Sequence, residues 1–160
     1  MSGLFIFAGL AIFFLIILPI FFEKKKEEGD FERFNKHFLI ASESYYACSP
    51  AVIERSISAL YECLKEGFFE KEIHEAIASF RLFLQTSREI DEFLLSGEFL
   101  LREIDEFLLK RRKLDPDVFN DIHREKWDAY QSGNKNILLI NKQLRAKDSR
   151  YGFQVSYELS

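Results

Sequence analysis

The sequence has few of the residues that mark compact chemical sites. Its only two cysteines, Cys48 and Cys63, have no second pair and no nearby set of histidine ligands, which argues against a zinc site and a disulfide framework. Its seven glycines form neither a Gly-x-x-x-x-Gly-Lys loop nor a Gly-x-Gly-x-x-Gly turn, and no Gly-x-Ser-x-Gly elbow occurs. We therefore expect no cofactor, no metal and no enzymatic activity.

Charge is missing from the first 22 residues and plentiful afterwards. All 22 Lys and Arg and all 26 Asp and Glu follow Phe22, so the rest of the chain carries the whole formal charge of −4. A nucleic-acid partner would call for a basic face on the domain. The acidic balance argues against such a partner.

A long apolar run occupies this uncharged region. Gly3 to Phe22 contains 15 Leu, Ile or Phe residues among 20, and as a helix it would span ~30 Å, the thickness of a bilayer core. These 15 side chains favour insertion by about 5 to 9 kcal/mol. A cleaved signal peptide would need a basic start, a shorter apolar run and a small-residue cleavage site. The pattern predicts a retained signal-anchor, residues 1–22, spanning the membrane once.

The residues after the run predict how the anchor is oriented. Lys24, Lys25 and Lys26 follow it, whereas only the α-amine supplies positive charge before it. Positive residues stay on the cytoplasmic side. We expect the N-terminus outside and the C-terminal domain in the cytoplasm, or on the matrix or stroma side in an organelle.

The remainder shows helical periodicity and predicts an all-α fold, a bundle or helical-hairpin domain of about five helices. Residues 23–29 are predicted to be a charged linker, with Asp30 capping a helix that buries Phe31, Phe34, Phe38, Ala41 and Tyr45. Ser49-Pro50 should start the next helix and Gly67 should end it. The other predicted boundaries are a helix from about Glu70 to Gln85, a new start or bend at Thr86, a start at Asp115-Pro116, and an end at Gly133-Asn134 followed by a shorter helix.

The segment from Arg88 to Lys113 carries an internal repeat. Arg-Glu-Ile-Asp-Glu-Phe-Leu-Leu occurs at 88–95 and again at 102–109. The offset of two heptads places the apolar residues on one face, which either packs within the domain, the first interpretation, or binds a partner helix. The candidate partner-helix face is Ile90, Leu94, Leu101, Ile104 and Leu108.

Four basic residues, Lys110, Arg111, Arg112 and Lys113, follow the repeat. They complement the carbonyl end of a helix dipole, the first interpretation. Contact with anionic lipid or with a partner is the alternative.

The predicted helical domain ends at residue 147. Residues 148–160 alternate apolar and polar side chains without an evident partner strand. They predict a disordered tail, or a lone strand that docks on a partner's sheet.

Together these features predict a single-pass membrane protein whose helical domain binds other membrane-associated proteins as an accessory subunit, assembly factor or scaffold. A homo-oligomer is compatible with this hypothesis. The alternatives are a membrane-tethered enzyme or ligand sensor with a pocket between helices, and a peripheral domain that binds anionic lipid. Two of the three histidines, or a histidine and acidic side chains, converging in a cleft would favour the enzyme or sensor.

Overall fold

The structure, a computed structural model, describes residues 9, 11, 13–103 and 116–155, with side-chain surroundings for residues 9, 11, 14–92 and 120–155. Within these ranges the fold is all-α, as predicted, with four helices and no strand. Helix α1 is Leu18–Ala41, preceded by a π-helical turn at Phe13–Ile17 and followed by a 3₁₀ turn at Ser42–Tyr45. The others are α2, Pro50–Leu64; α3, Glu70–Glu103; and α4, Pro116–Lys147. The helix count is thus four in the described ranges rather than about five.

Helix α1 runs through the segment predicted to be a linker. It begins at Leu18 and continues past Gly29 to Ala41, so Asp30 lies inside a helix and is not its N-cap. Lys and Glu between residues 23 and 28 are good helix formers, and one glycine costs only about 1 kcal/mol, which does not end a helix. The predicted buried face is confirmed for Phe31, Phe34, Phe38 and Ala41, whereas Tyr45 is half-buried and lies in the 3₁₀ turn after the helix.

Helix α2 has the predicted boundaries. The Val52 N–H donates to Ser49 Oγ at 3.3 Å, which caps the helix, and Pro50 occupies its first position. Beyond its C-terminus Gly67 adopts a φ of +76°, a conformation that favours glycine. The buried side chains include Ile53, Ile57 and Leu60.

Helix α3 is continuous across Thr86, where the sequence predicted a new start or a bend. The Thr86 hydroxyl donates to the carbonyls of Leu82 at 2.9 Å and Phe83 at 3.1 Å, and the Ser87 hydroxyl donates to the Phe83 carbonyl at 2.7 Å. Bonds back to the preceding turn satisfy these hydroxyls inside the helix. The capping pattern at Thr86 therefore does not mark a boundary.

Helix α4 is likewise continuous where the sequence predicted an end at Gly133-Asn134. A Cβ placed on Gly133 would lie 2.3 Å from Phe80 Cε1, so the glycine permits α4 to approach α3 closely. Helices α3 and α4 form the most extensive helix–helix contact among the described elements. The glycine serves helix packing here and not helix termination.

One hydrophobic core joins the four helices. It lies between residues 31–41 of α1, α2, the first half of α3 and residues 129–144 of α4. The largest fully buried apolar side chains are Phe34, Phe38, Phe80, Phe83, Ile53, Leu60, Ile73, Ile137, Ile140 and Leu144.

Helix α4 runs antiparallel to α1. Near one end, Lys147 Nζ lies 3.0 Å from Glu27 Oε1. Near the other, the Ser44 hydroxyl, just beyond α1, donates to Asn134 Oδ1 at 2.8 Å, and the Tyr130 hydroxyl donates to the Ser44 carbonyl at 2.7 Å. The contacts at the two ends fix the direction of α4 relative to α1.

Residues 148–155 lie against the bundle, in contrast to the predicted disordered tail. The Phe153 N–H donates to Asn141 Oδ1 at 2.8 Å, and Asn141 Nδ2 donates to the Phe153 carbonyl at 2.9 Å. The Gly152 N–H donates to Asn35 Oδ1 at 2.7 Å, while the Tyr151 and Phe153 rings pack on the core. The segment is neither helix nor strand; residues 156–160 lie outside the described residues.

Candidate interaction surface

The N-terminal end of α1 and the π-helical turn before it are apolar and uncovered. Exposed side chains there range from Ile17, 48% exposed, to Leu15, 76% exposed. A helix that is apolar on all sides is normally buried in protein or in a bilayer. The exposed large apolar residues of this stretch are Phe14, Leu15, Ile16, Ile17, Ile20, Phe21 and Phe22.

The lysines expected to flank the membrane follow this stretch without a break. Lys24, Lys25 and Lys26 are exposed on the first turns of α1. Within the part of the chain that the structure describes, no helix is both long and apolar enough to cross a membrane. The predicted span from Gly3 to Phe22 lies partly outside that part, because residues 1–8, 10 and 12 are not described.

A small cleft of about 300 Å³ lies where α1 leaves the bundle beside the end of α4. Lys147 Nζ stands 3.5 Å from the centroid of the Phe31 ring, and Phe31 stacks on Tyr151 with 6.3 Å between ring centroids. Hydrogen bonds from the Arg150 side chain and backbone lower the pKa of Asp148 to about 2. The contacts of Lys147 and Tyr151 with Phe31 connect α4 and the C-terminal segment to the middle of α1.

A wider groove of about 990 Å³ lies between α4 and residues 153–155. Leu138, Leu139 and Phe153 supply apolar surface, and Lys135, Lys142 and Arg145 supply positive charge. No acidic residue lines the groove within the described part of the chain. Sequence reasoning missed this site because it forms only when the C-terminal segment lies against α4.

The partner-helix face predicted from the repeat is described only in part. Ile90 is buried, with 5% exposure. The backbone at Leu94 and Leu101 is helical, but their side chains lie outside the described residues. Ile104 and Leu108, and the basic cluster Lys110, Arg111, Arg112 and Lys113, lie wholly outside them. The choice between internal packing and a partner helix stays a prediction.

The three histidines lie on different helices: His37 on α1, His74 on α3 and His123 on α4. A shallow, open groove of about 770 Å³ between α1 and α2 does place His37 beside Glu54 and Glu62. The Lys65 ammonium, 2.6 Å from Glu62 Oε2, lowers the pKa of that carboxyl through a hydrogen bond. The lowered pKa favours the ionised form of Glu62, which cannot donate a proton as a general acid.

Two further kinds of group could take part in a reaction, the buried thiol and possible metal ligands. Burial raises the pKa of the Cys63 thiol to about 12, which keeps it protonated and unreactive at neutral pH. Among the described residues, no group of three or more His, Cys, Asp or Glu side chains is placed to hold a metal ion.

Comparison of the chain with models of protein families, with curated proteins and with solved structures found no match.

Proposed function

We propose that this chain is a single-pass membrane protein whose helical bundle acts through contacts with other membrane-associated proteins, as an accessory subunit, assembly factor or scaffold. The apolar run from Gly3 to Phe22 is the anchor. The bundle stands beside the bilayer on the side of Lys24, Lys25 and Lys26.

The observation that carries the proposal is the change of surface along one unbroken stretch of helix. The residues from Phe14 to Phe22 expose large apolar side chains in all directions, whereas from Phe31 onward α1 buries one face in the bundle. Leaving seven large apolar side chains in water is unfavourable, since burying each is worth about 1.5 to 3 kcal/mol. Something other than the described part of this chain must cover them. The uncharged sequence from Gly3 to Phe22 has the length and composition that favour a bilayer.

The continuity of α1 supports a fixed placement of the bundle near the membrane. A flexible linker would let the bundle move freely, whereas α1 is helical from Leu18 to Ala41. The Lys147–Glu27 ion pair and the packing of Phe31 attach the bundle to the middle of this helix, next to its charged segment. A bundle held in this way can present its grooves to neighbouring membrane proteins in a constant orientation.

The test is extraction of the full-length chain in two steps. We expect the chain to stay with membranes through an alkaline carbonate wash, and then to elute with other proteins when a mild detergent extract is separated by size. A chain released by carbonate would contradict the anchor. A chain that stays in the membrane but elutes alone as a monomer would contradict the scaffold function.

A further inference from the structure

The groove between α4 and residues 153–155 combines apolar and positively charged surface in a regular way. Lys135, Leu138, Lys142 and Arg145 follow one another at steps of three, four and three residues, which places them on one face of α4. Leu139 beside them is 42% exposed. Because the rise is about 1.5 Å per residue, this stripe is ~15 Å long, nearly three helical turns.

The charges of this stripe are not neutralised by the bundle. Lys135 and Lys142 are exposed and form no ion pair with any described residue, and Arg145 contacts the Tyr151 carbonyl at 3.5 Å. The chain as a whole has more acidic than basic residues. An acid-free stripe therefore departs from the charge balance of the molecule and favours an acidic ligand.

The direction of the stripe distinguishes a protein ligand from a lipid surface. Because α4 is antiparallel to α1, Arg145 lies toward the Glu27 end of α1 and Lys135 toward the Ser44 end. If α1 enters the bilayer at its N-terminal end, the stripe points away from the membrane. A flat layer of headgroups would reach only its Arg145 end, whereas a helix lying in the groove would contact its whole length.

We infer that this groove binds an acidic amphipathic helix of a partner protein. Apolar side chains of that helix pack on Leu138, Leu139 and Phe153, and its carboxylates lie against Lys135, Lys142 and Arg145. Apolar anchors in the groove supply affinity, and the flanking charges supply specificity and register. The inference rests on the proposed function, since it names the chemistry of one protein that the bundle would contact.

The test uses a labelled synthetic peptide of about 14 residues, ~21 Å long as a helix, with leucines on one face and glutamates on the other. Its binding to the full-length chain, reconstituted in phosphatidylcholine vesicles, is followed by fluorescence anisotropy. We expect K135E/K142E to weaken binding by roughly tenfold or more, and K135Q/K142Q by less, in line with charge contacts of this kind. A peptide with lysine in place of every glutamate should not bind.

The matched control is K36E/K71E, which changes the net charge by the same amount at two exposed lysines on α1 and α3. We expect the control to leave peptide binding within about twofold of wild type, because neither lysine lines the groove and exposed charges are screened by salt. The inference is overturned if the acidic peptide does not bind, if both peptides bind equally, or if the control weakens binding as much as K135E/K142E.

Two other occupants give different results. If short-chain phosphatidylserine below its micelle concentration displaces the peptide, the groove is a headgroup site and the inference is wrong. If K135E/K142E converts an oligomer of the chain to a monomer, the occupant is a second copy. Peptide binding does not depend on which proteins co-purify with the chain, so failure of the groove can be told from failure of the scaffold function.

Discussion

The first helical stretch has a first half, residues 14–22, and a second half, residues 31–41, and their side chains differ strongly. Residues 14–22 are uncharged and expose apolar side chains on every side, whereas residues 31–41 alternate buried apolar residues with exposed polar and apolar ones. Both are helical, although the first begins with the π-helical turn at Phe13–Ile17. The pattern of side chains, and not the formation of a helix, therefore determines the environment that each half requires.

The segment between the halves, residues 23–29, contains three lysines, three glutamates and Gly29. Its side chains are exposed or half-buried, and it is helical throughout. A charged, water-facing helix between an apolar rod and a packed bundle suits the boundary between a bilayer and water. The comparison can be tested by changing one half at a time.

The largest effect is expected from placing charge in the first half. On the insertion scale two arginines at Phe14 and Leu15 would oppose insertion by about 6 to 8 kcal/mol. We expect F14R/L15R to release the chain from membranes in a carbonate wash, while its helical circular dichroism and its unfolding midpoint in detergent change little. Retention of the variant in the membrane pellet would contradict the assignment of this half to the bilayer.

The next effect is expected from opening a cavity in the second half. Phe38 is fully buried, whereas its neighbour Leu39 is 40% exposed. Removing a buried phenyl ring costs about 3 to 5 kcal/mol, so Phe38→Ala should lower the free energy of unfolding by that amount. Leu39→Ala should change it by about 0.5 kcal/mol or less. Denaturant unfolding of the full chain in detergent measures both, and membrane retention should be unaltered in both variants.

Alanine substitutions at two glycines should change the stability by smaller amounts and in opposite directions. A Cβ at Gly133 would overlap the Phe80 ring at 2.3 Å, whereas a Cβ at Gly29 would meet only Arg33 Nη1 at 3.7 Å. Overpacking should make Gly133→Ala destabilising by about 3 kcal/mol, and the better helix propensity of alanine should make Gly29→Ala stabilising by about 0.5 to 1 kcal/mol. If Gly29→Ala destabilised the bundle, the continuous helix between the two halves would be wrong.

A local effect is expected in the C-terminal segment, which lies against the bundle. Asn141→Ala removes both hydrogen bonds to the backbone of Phe153, and we expect a loss of about 1 to 2 kcal/mol. Amide hydrogen exchange should rise at residues 151–155 and stay slow in the core of α4. If exchange at residues 151–155 did not change, Asn141 would not be what holds the segment.

Local signals in the sequence predicted the fold class and several elements. Ser49 caps a helix, Pro50 fixes φ at the first position of that helix, and Gly67 adopts a positive φ after it. These effects are local, so the sequence predicted the helix boundaries they set. Gly133 and Thr86 resemble boundary residues in sequence, but their role depends on Phe80 on another helix and on carbonyls of the preceding turn. The sequence therefore predicted too many helix ends.

The basic groove could not be predicted for a related reason. Lys135, Lys142 and Arg145 look like an ordinary exposed helix face until residues 153–155 lie beside them. Asn141 and Asn35 hold that segment in place, and nothing in the spacing of two distant asparagines identifies their common partner. Surfaces formed by contacts between remote segments need the tertiary structure.

The most direct measurement of the account compares the labelling of a thiol after the proposed anchor with that of a thiol introduced before it. Cys48 is exposed, and Cys63 is buried with its pKa raised to about 12, so in the wild type a membrane-impermeant thiol reagent can report on Cys48. We predict that Cys48 is not labelled in sealed cells and becomes labelled once the cells are permeabilised. In an S2C/C48S variant we predict that the cysteine at position 2 is labelled from outside in sealed cells, without permeabilisation. Labelling of both positions from the same side in sealed cells would contradict a single crossing between them.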